Sequence, residues 1–111
     1  MDRKAPRKRL DRQRARAKIL KALAHPSRLL IIDELAQGER CVCELQAVIG
    51  SDMSTVSKHL AQLRECGLVQ DDKRGTQVFY SLNAGCLPSF FQCIDNLAKK
   101  HAQRQLEWTR S

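Results

Sequence analysis

Much is missing from this chain of 111 residues. No apolar run approaches the roughly 20 residues of a membrane span. No signal-peptide pattern opens the sequence, so a soluble, cytoplasmic protein with no membrane partner is expected. There are no internal repeats, no linker, and no low-complexity segment apart from a basic N-terminal stretch. No nucleophile stands beside an evident base, so no catalytic role is expected. The length suffices for one compact domain and not for two, so a site larger than a crevice calls for a second subunit.

What is present begins with charge. The net charge is +8, but residues 1–18 hold nine Lys/Arg and two Asp/Glu, a net of +7, and the remainder is nearly balanced. Residues 1–17 read as a flexible basic arm, and residues 18–111 as the folded domain. The arm either touches DNA phosphates, making binding salt-dependent, or is a solvated extension that aids solubility. It contains Asp2 and Asp11 and no serine, unlike a mitochondrial presequence.

The chain is organised around Arg40 to Gly67, RCVCELQAVIGSDMSTVSKHLAQLRECG. Leu45, Val48 and Ile49 give a short helix an apolar face that ends at Gly50. A second helix, capped by Asp52 or Ser51, repeats Val56, Leu60 and Leu63 at helical spacing and stops at Gly67. Two helices about a glycine turn fit a helix-turn-helix, whose second helix presents Ser54, Thr55, Ser57, Lys58 and His59 to base edges. A plain helical hairpin would tolerate the same apolar spacing, but the exposed face is Ser, Thr, Lys and His rather than a Glu/Lys mixture.

Upstream, Ile19, Leu20 and Leu23 stripe a first helix. A second opens at Pro26, where the missing amide hydrogen is not needed. It carries Leu29, Ile32 and Leu35 on its core face and ends at Gln37-Gly38. His25, before the proline, reads as a capping residue. Beyond Gly67 the period alternates: Leu68 to Gln70, a polar turn from Asp71 to Thr76, then Val78, Phe79, Tyr80 and Leu82 form a two-stranded hairpin. Placed after a helix-turn-helix it is a wing, and Lys73, Arg74 and Thr76 are expected to reach phosphate or the minor groove. From Pro88, a long helix carries Phe90, Ile94, Leu97, His101 and Trp108 on one stripe. Such a stripe is best buried against the same helices of a second copy. The fold class is therefore mainly α with a small β-hairpin, a winged helix-turn-helix that dimerises through its terminal helices. A twofold dimer predicts a near-palindromic double-stranded operator.

The five cysteines, Cys41, Cys43, Cys66, Cys86 and Cys93, suit free thiols or soft-metal ligands better than a disulfide framework. Cys41 and Cys43 open the helix ahead of the DNA-reading helix, where the positive helix end and Arg40 are expected to depress their pKa values. On a regular helix they would point about 200° apart. One ion holding both sulfurs would then deform the helix start and move the DNA-reading helix. Thiolates select soft ions such as trivalent arsenic or antimony, cadmium or lead.

Four stretches, LAHPSRLLII, RCVCEL, STVSKHLAQLRECGLV and RGTQVFYSL, together resemble the ArsR/SmtB family of winged-helix repressors over roughly residues 18–84. They are most similar to its arsenical-resistance members. The resemblance implies a homodimeric repressor that needs no cofactor to bind DNA and leaves it when As(III) or Sb(III) binds the box cysteines. Cys41 and Cys43 match the first two thiols of the family's Cys-Val-Cys-Asp-Leu-Cys box, and Ser57, Lys58 and His59 match its Ser-Arg-His. Gln46 stands where the third cysteine would be. Two sulfurs suffice, or Cys66, Cys86 or Cys93 supplies a third, or a small thiol does; Cys93 and Cys86, within the chain or across a dimer, are the leading candidates. The zinc-sensing arrangement is not reproduced by Asp95 and His101, although a Cd/Pb/Zn-responsive repressor stays open. Three rival functions fit the same residues less well: a redox or persulfide sensor on the same fold, a C-x-C thiol oxidoreductase, and a constitutive DNA-binding protein whose cysteines only pack.

Overall fold

The computed structural model describes the backbone of residues 4–110 and the side chains of residues 7–106. In chain order the elements are α1 (Lys4–Leu23), α2 (Pro26–Gln37), β1 (Arg40–Cys41), α3 (Val42–Ile49), α4 (Met53–Glu65), β2 (Val69–Arg74), β3 (Gln77–Leu82) and α5 (Leu87–Arg110). The core gathers Ile31 and Ile32 of α2, Leu45 of α3, Val56, Leu60 and Leu63 of α4, Val69 of β2 and Tyr80 of β3. Leu23 closes it from α1 and Leu87 from α5. The face expected for α2 is partly corrected: Ile32 and Leu35 are buried, but Ile31 joins them and Leu29 is exposed.

Local chemistry sets the helix boundaries. His25 caps α2 in an extended conformation, its Nδ1 accepting from the Ser27 N–H at 3.1 Å, with Pro26 at the first helical position. Asp52, not Ser51, caps α4: its carboxylate accepts from the Thr55 N–H at 2.8 Å and the Ser54 hydroxyl at 2.9 Å. These bonds hold the Asp52 pKa below its ordinary value. Gly50 ends α3 at φ +78°, a left-handed backbone that a side chain would resist. That turn sets α4 across α3.

The wing departs from the sequence expectation in two ways. Asp71 to Arg74 are not a polar turn; they continue β2, with Asp71 opposite Tyr80 and Arg74 opposite Gln77. The turn is the two-residue loop Gly75-Thr76, with Gly75 at φ +62° and Thr76 at negative φ, the pattern of a type II′ hairpin. Pairing is rewarded by Arg64 on Asp71 at 2.9 Å, which ties α4 to β2. The second departure is β1, which pairs antiparallel with β3, Arg40 opposite Tyr80 and Cys41 opposite Phe79. The sheet is therefore three-stranded in the order β1-β3-β2, not a hairpin alone.

The terminal helices project. Helix α1 runs through the boundary expected between residues 17 and 18, and its side chains from Arg7 to Lys21 are exposed. Past Phe91, α5 leaves the core: Ile94 is 46% and Leu97 68% exposed. The radius of gyration is 18.0 Å, where a compact chain of this length would have about 13 Å. An apolar groove lined by Leu20, Leu23, Leu29, Phe90, Phe91 and Ile94 runs between α1, α2 and α5. Trp108 lies outside the described side chains.

Candidate functional site

Helix α4 and the wing present the surface expected to read DNA. Ser54, Ser57 and Lys58 are exposed on α4 and Thr55 is half-buried; Lys73 and Thr76 are exposed at the wing tip. Two expected contacts are turned elsewhere. His59 faces inward at 8% exposure, because it stands three residues after Val56 on the buried stripe. Its Nδ1 accepts from Arg28 Nε–H at 3.0 Å, and its ring packs on His25 with centroids 4.4 Å apart. Arg28 also donates to the Ala22 carbonyl at 3.2 Å, so one guanidinium joins the end of α1 to α4. Burial, then the electrostatic effect of His25 and Arg28, hold the His59 pKa below its ordinary value. Arg74, expected to reach phosphate, is held by the Glu39 carboxylate through bonds of 2.6 and 2.8 Å and by Asp72 at 2.9 Å. It also lies over the Phe79 ring at 4.7 Å. These partners raise its pKa, Glu39 most, so Arg74 pins the wing to the residue before β1 rather than standing free.

The thiol pair sits where β1 becomes α3. Cys41 is the N-cap, extended at φ −80° and ψ 161°, and Cys43 lies in the first turn. The helix start therefore needs no deformation to become extended at Cys41; it is built that way by pairing with β3. The Cys41 N–H donates to Glu44 Oε1 at 3.2 Å, and the Glu44 N–H faces the Cys41 sulfur, forming a capping box. The expectation of a depressed Cys41 pKa is overturned. The Glu44 N–H pulls it down, but burial and the Glu44 carboxylate outweigh that bond and push the thiol up. In return, its bonds to Cys41 lower the Glu44 pKa.

Cys41 is buried and Cys43 exposed, yet both line one open cleft of about 290 Å³. Its other walls are Val42 of α3, Met53 and Ser57 of α4's first turns, and Thr76, Gln77 and Val78 of the wing. This is the feature sequence reasoning missed: the thiols share a cavity with both expected DNA-reading elements. The remaining cysteines lie elsewhere. Cys66 caps the C-terminal end of α4, half-buried against the core. Cys86 is exposed before α5, and Cys93 is exposed beside Ser89, Gln92, Asn96 and Lys100. Among the described residues, no three His, Cys, Asp or Glu side chains are grouped to hold a metal ion. The cleft thus brings together two of the five thiols, one buried and one exposed.

A helix-turn-helix followed by the β2–β3 hairpin, with β1 completing the sheet from ahead of α3, defines the class, the winged helix-turn-helix regulators. The family described as "Bacterial regulatory protein, arsR family" matches residues 25–71. The arsenic resistance transcriptional regulator ArsR1 of Pseudomonas putida is 35% identical over 91 residues, covering 81% of this chain and 68% of that protein. The biofilm growth-associated repressor of Agrobacterium fabrum is 46% identical over 64 residues, covering 58% of this chain and 55% of that protein. The homodimeric winged helix-turn-helix DNA-binding domain Mb0332 of Mycobacterium bovis superposes with a TM-score of 0.74 at 29% identity, covering 94% of this chain and 93% of that one. The chain belongs to the ArsR family of bacterial regulatory proteins. No helix among the described residues is long and apolar enough to cross a membrane.

Proposed function

We propose that this chain is a cytoplasmic, homodimeric repressor of a metalloid-resistance operon, released from its operator when a trivalent arsenic or antimony compound binds Cys41 and Cys43. The observation that carries this reading is the shared cleft. A ligand bridging the two thiols lies against Met53 and Ser57 at the start of α4 and against Thr76 of the wing, so occupying it acts on the elements that meet DNA. Ser54, Thr55, Ser57 and Lys58 read bases in the major groove, and Lys73 and Thr76 meet phosphate. The basic face of α1 adds a salt-dependent, sequence-independent attraction. The exposed stripe of Phe90, Ile94 and Leu97, with the groove against α1 and α2, is the surface a second copy covers. The pair then sets two α4 helices on successive turns of a near-palindromic site. Coupling between ligand and DNA is reciprocal and of the order of 1–3 kcal/mol.

The test is fluorescence anisotropy of the reduced protein on its own upstream DNA. It is titrated separately with trivalent arsenicals, antimonite, cadmium, zinc and a persulfide donor. Release by a metalloid, absent in Cys41→Ser and Cys43→Ser, is the expected result. Release by the persulfide donor alone transfers the protein to sulfur sensing.

A further inference from the structure

Inorganic arsenite carries three As–O bonds that thiols can replace, and this cleft offers two thiols. Gln46, one turn beyond Cys43 on α3, carries no sulfur, and Cys66, Cys86 and Cys93 lie outside the cleft lining. Thiols are not what fills the rest of the space. Val42, Met53 and Val78 make an apolar wall beside Cys41 and Cys43, and the cleft measures about 290 Å³. An apolar cavity of about 150 Å³ is large enough for benzene. A dithiol beside an apolar recess matches an arsenic atom whose third bond goes to carbon.

Building on the function proposed above, we infer that the effector class is a monoorganic trivalent arsenical, R–As(OH)₂, bound by Cys41 and Cys43 with its organic group against Val42, Met53 and Val78. The chemistry is a double condensation. Two As–O bonds break and two As–S bonds form, each S–H proton leaves with a hydroxide as water, and the As–C bond and the arsenic oxidation state are unchanged. No base is required, because the leaving hydroxide takes the proton. A divalent cation, by contrast, must displace the thiol protons to solvent. The organic group also supplies the force of the switch. Met53 is the first residue of α4 and Val78 lies in β3, the wing strand that also pairs with β1. A substituent seated between them separates the DNA-reading helix from the wing.

The experiment uses the reduced full chain without added thiols, and phenylarsine oxide, which hydrates to a phenyl dihydroxyarsine, against arsenite. Native mass spectrometry is expected to show one phenylarsenic per chain with two hydrogens lost. Alkylation of the wild-type protein is expected to show Cys41 and Cys43 protected while Cys66, Cys86 and Cys93 still react. This mapping needs no variant to fold. Phenylarsine oxide is expected to bind at least about tenfold more tightly than arsenite, and Gln46→Cys to narrow that gap by strengthening arsenite. Equal affinity of the wild type for both, with three thiols protected by arsenite, overturns the inference and leaves the metalloid repressor standing. Protection of neither thiol by either compound, in protein that still binds its DNA, overturns the repressor reading as well.

Discussion

Helices α4 and α5 are both amphipathic, yet they use their apolar faces differently. In α4, Val56, Leu60 and Leu63 are fully buried within the chain, and His59 is pinned by Arg28. In α5, which is nearly twice as long, Phe90, Ile94 and Leu97 stay exposed after Leu87 and Phe91 have met the core. A helix fixed by its own chain can present a constant surface to a ligand such as DNA. A helix with its stripe uncovered is built to be completed by another chain. On the function proposed above, the thiol cleft lies against α4 and the wing, where occupying it acts on the buried, well-anchored helix rather than on α5.

The contrast can be broken most severely in the core. Leu60→Ala should cost about 2–5 kcal/mol at every protein concentration, read as a shift of the urea midpoint. Leu97→Ala should act only through association, so its effect should fade on dilution. If Leu97→Ala destabilises as much as Leu60→Ala when dilute, α5 is core after all. Next in size is the polar pin. Arg28→Ala leaves the buried His59 Nδ1 without its donor, an expected loss of about 1–3 kcal/mol together with weaker DNA binding. Unchanged binding would mean that α4 is oriented by its apolar face alone. On the other helix, Ile94→Glu should raise the dimer dissociation constant by about tenfold or more, seen by sedimentation, while circular dichroism stays that of the folded chain.

The smallest effect is the titration of His59. Its folded pKa lies below the unfolded one, so between the two values the unfolded chain binds the extra proton and stability rises with pH. The contribution is fully present above about 6.5 and is lost as pH falls through the folded value. His25 and Arg28, the groups facing it, oppose protonation further. His59→Gln keeps an acceptor for Arg28 and removes the proton site, so its urea midpoint should vary less between pH 7 and 5. An unchanged slope would place the titrating group elsewhere. Asp52 and Glu44, whose pKa values are lowered, lose their contributions on the more acidic side of this window.

Periodicity made α4 legible in the sequence, because Val56, Leu60 and Leu63 mark one face without help from the rest of the chain. The same stripe includes position 59, so the inward turn of His59 was available from spacing; its polar side chain drew the reading outward. Cys41 and Glu44 stand three apart, as in a capping box, and that spacing announces the helix start. What could not be read is what depends on distant partners. Strand β1 is two residues long and exists only because β3 lies beside it. The charged run Asp71 to Arg74 looks like a turn until Arg64 and Glu39 supply its ion pairs. The cleft joining the thiols to Met53, Ser57 and Thr76 closes through that same long-range packing, so C-x-C was visible in the sequence and the cavity was not.

The most direct test of the account is the reciprocity of its two sites. The affinity of the reduced dimer for phenylarsine oxide should be measured with and without saturating operator DNA, alongside its DNA affinity with and without the arsenical. Each ligand should weaken the other by the same factor, in the range of about 5–150-fold, and that factor should fall to one in Cys43→Ser. An arsenical that binds Cys41 and Cys43 with the same affinity on and off DNA would contradict it, because the cleft would then be uncoupled from the helix and wing that form its walls.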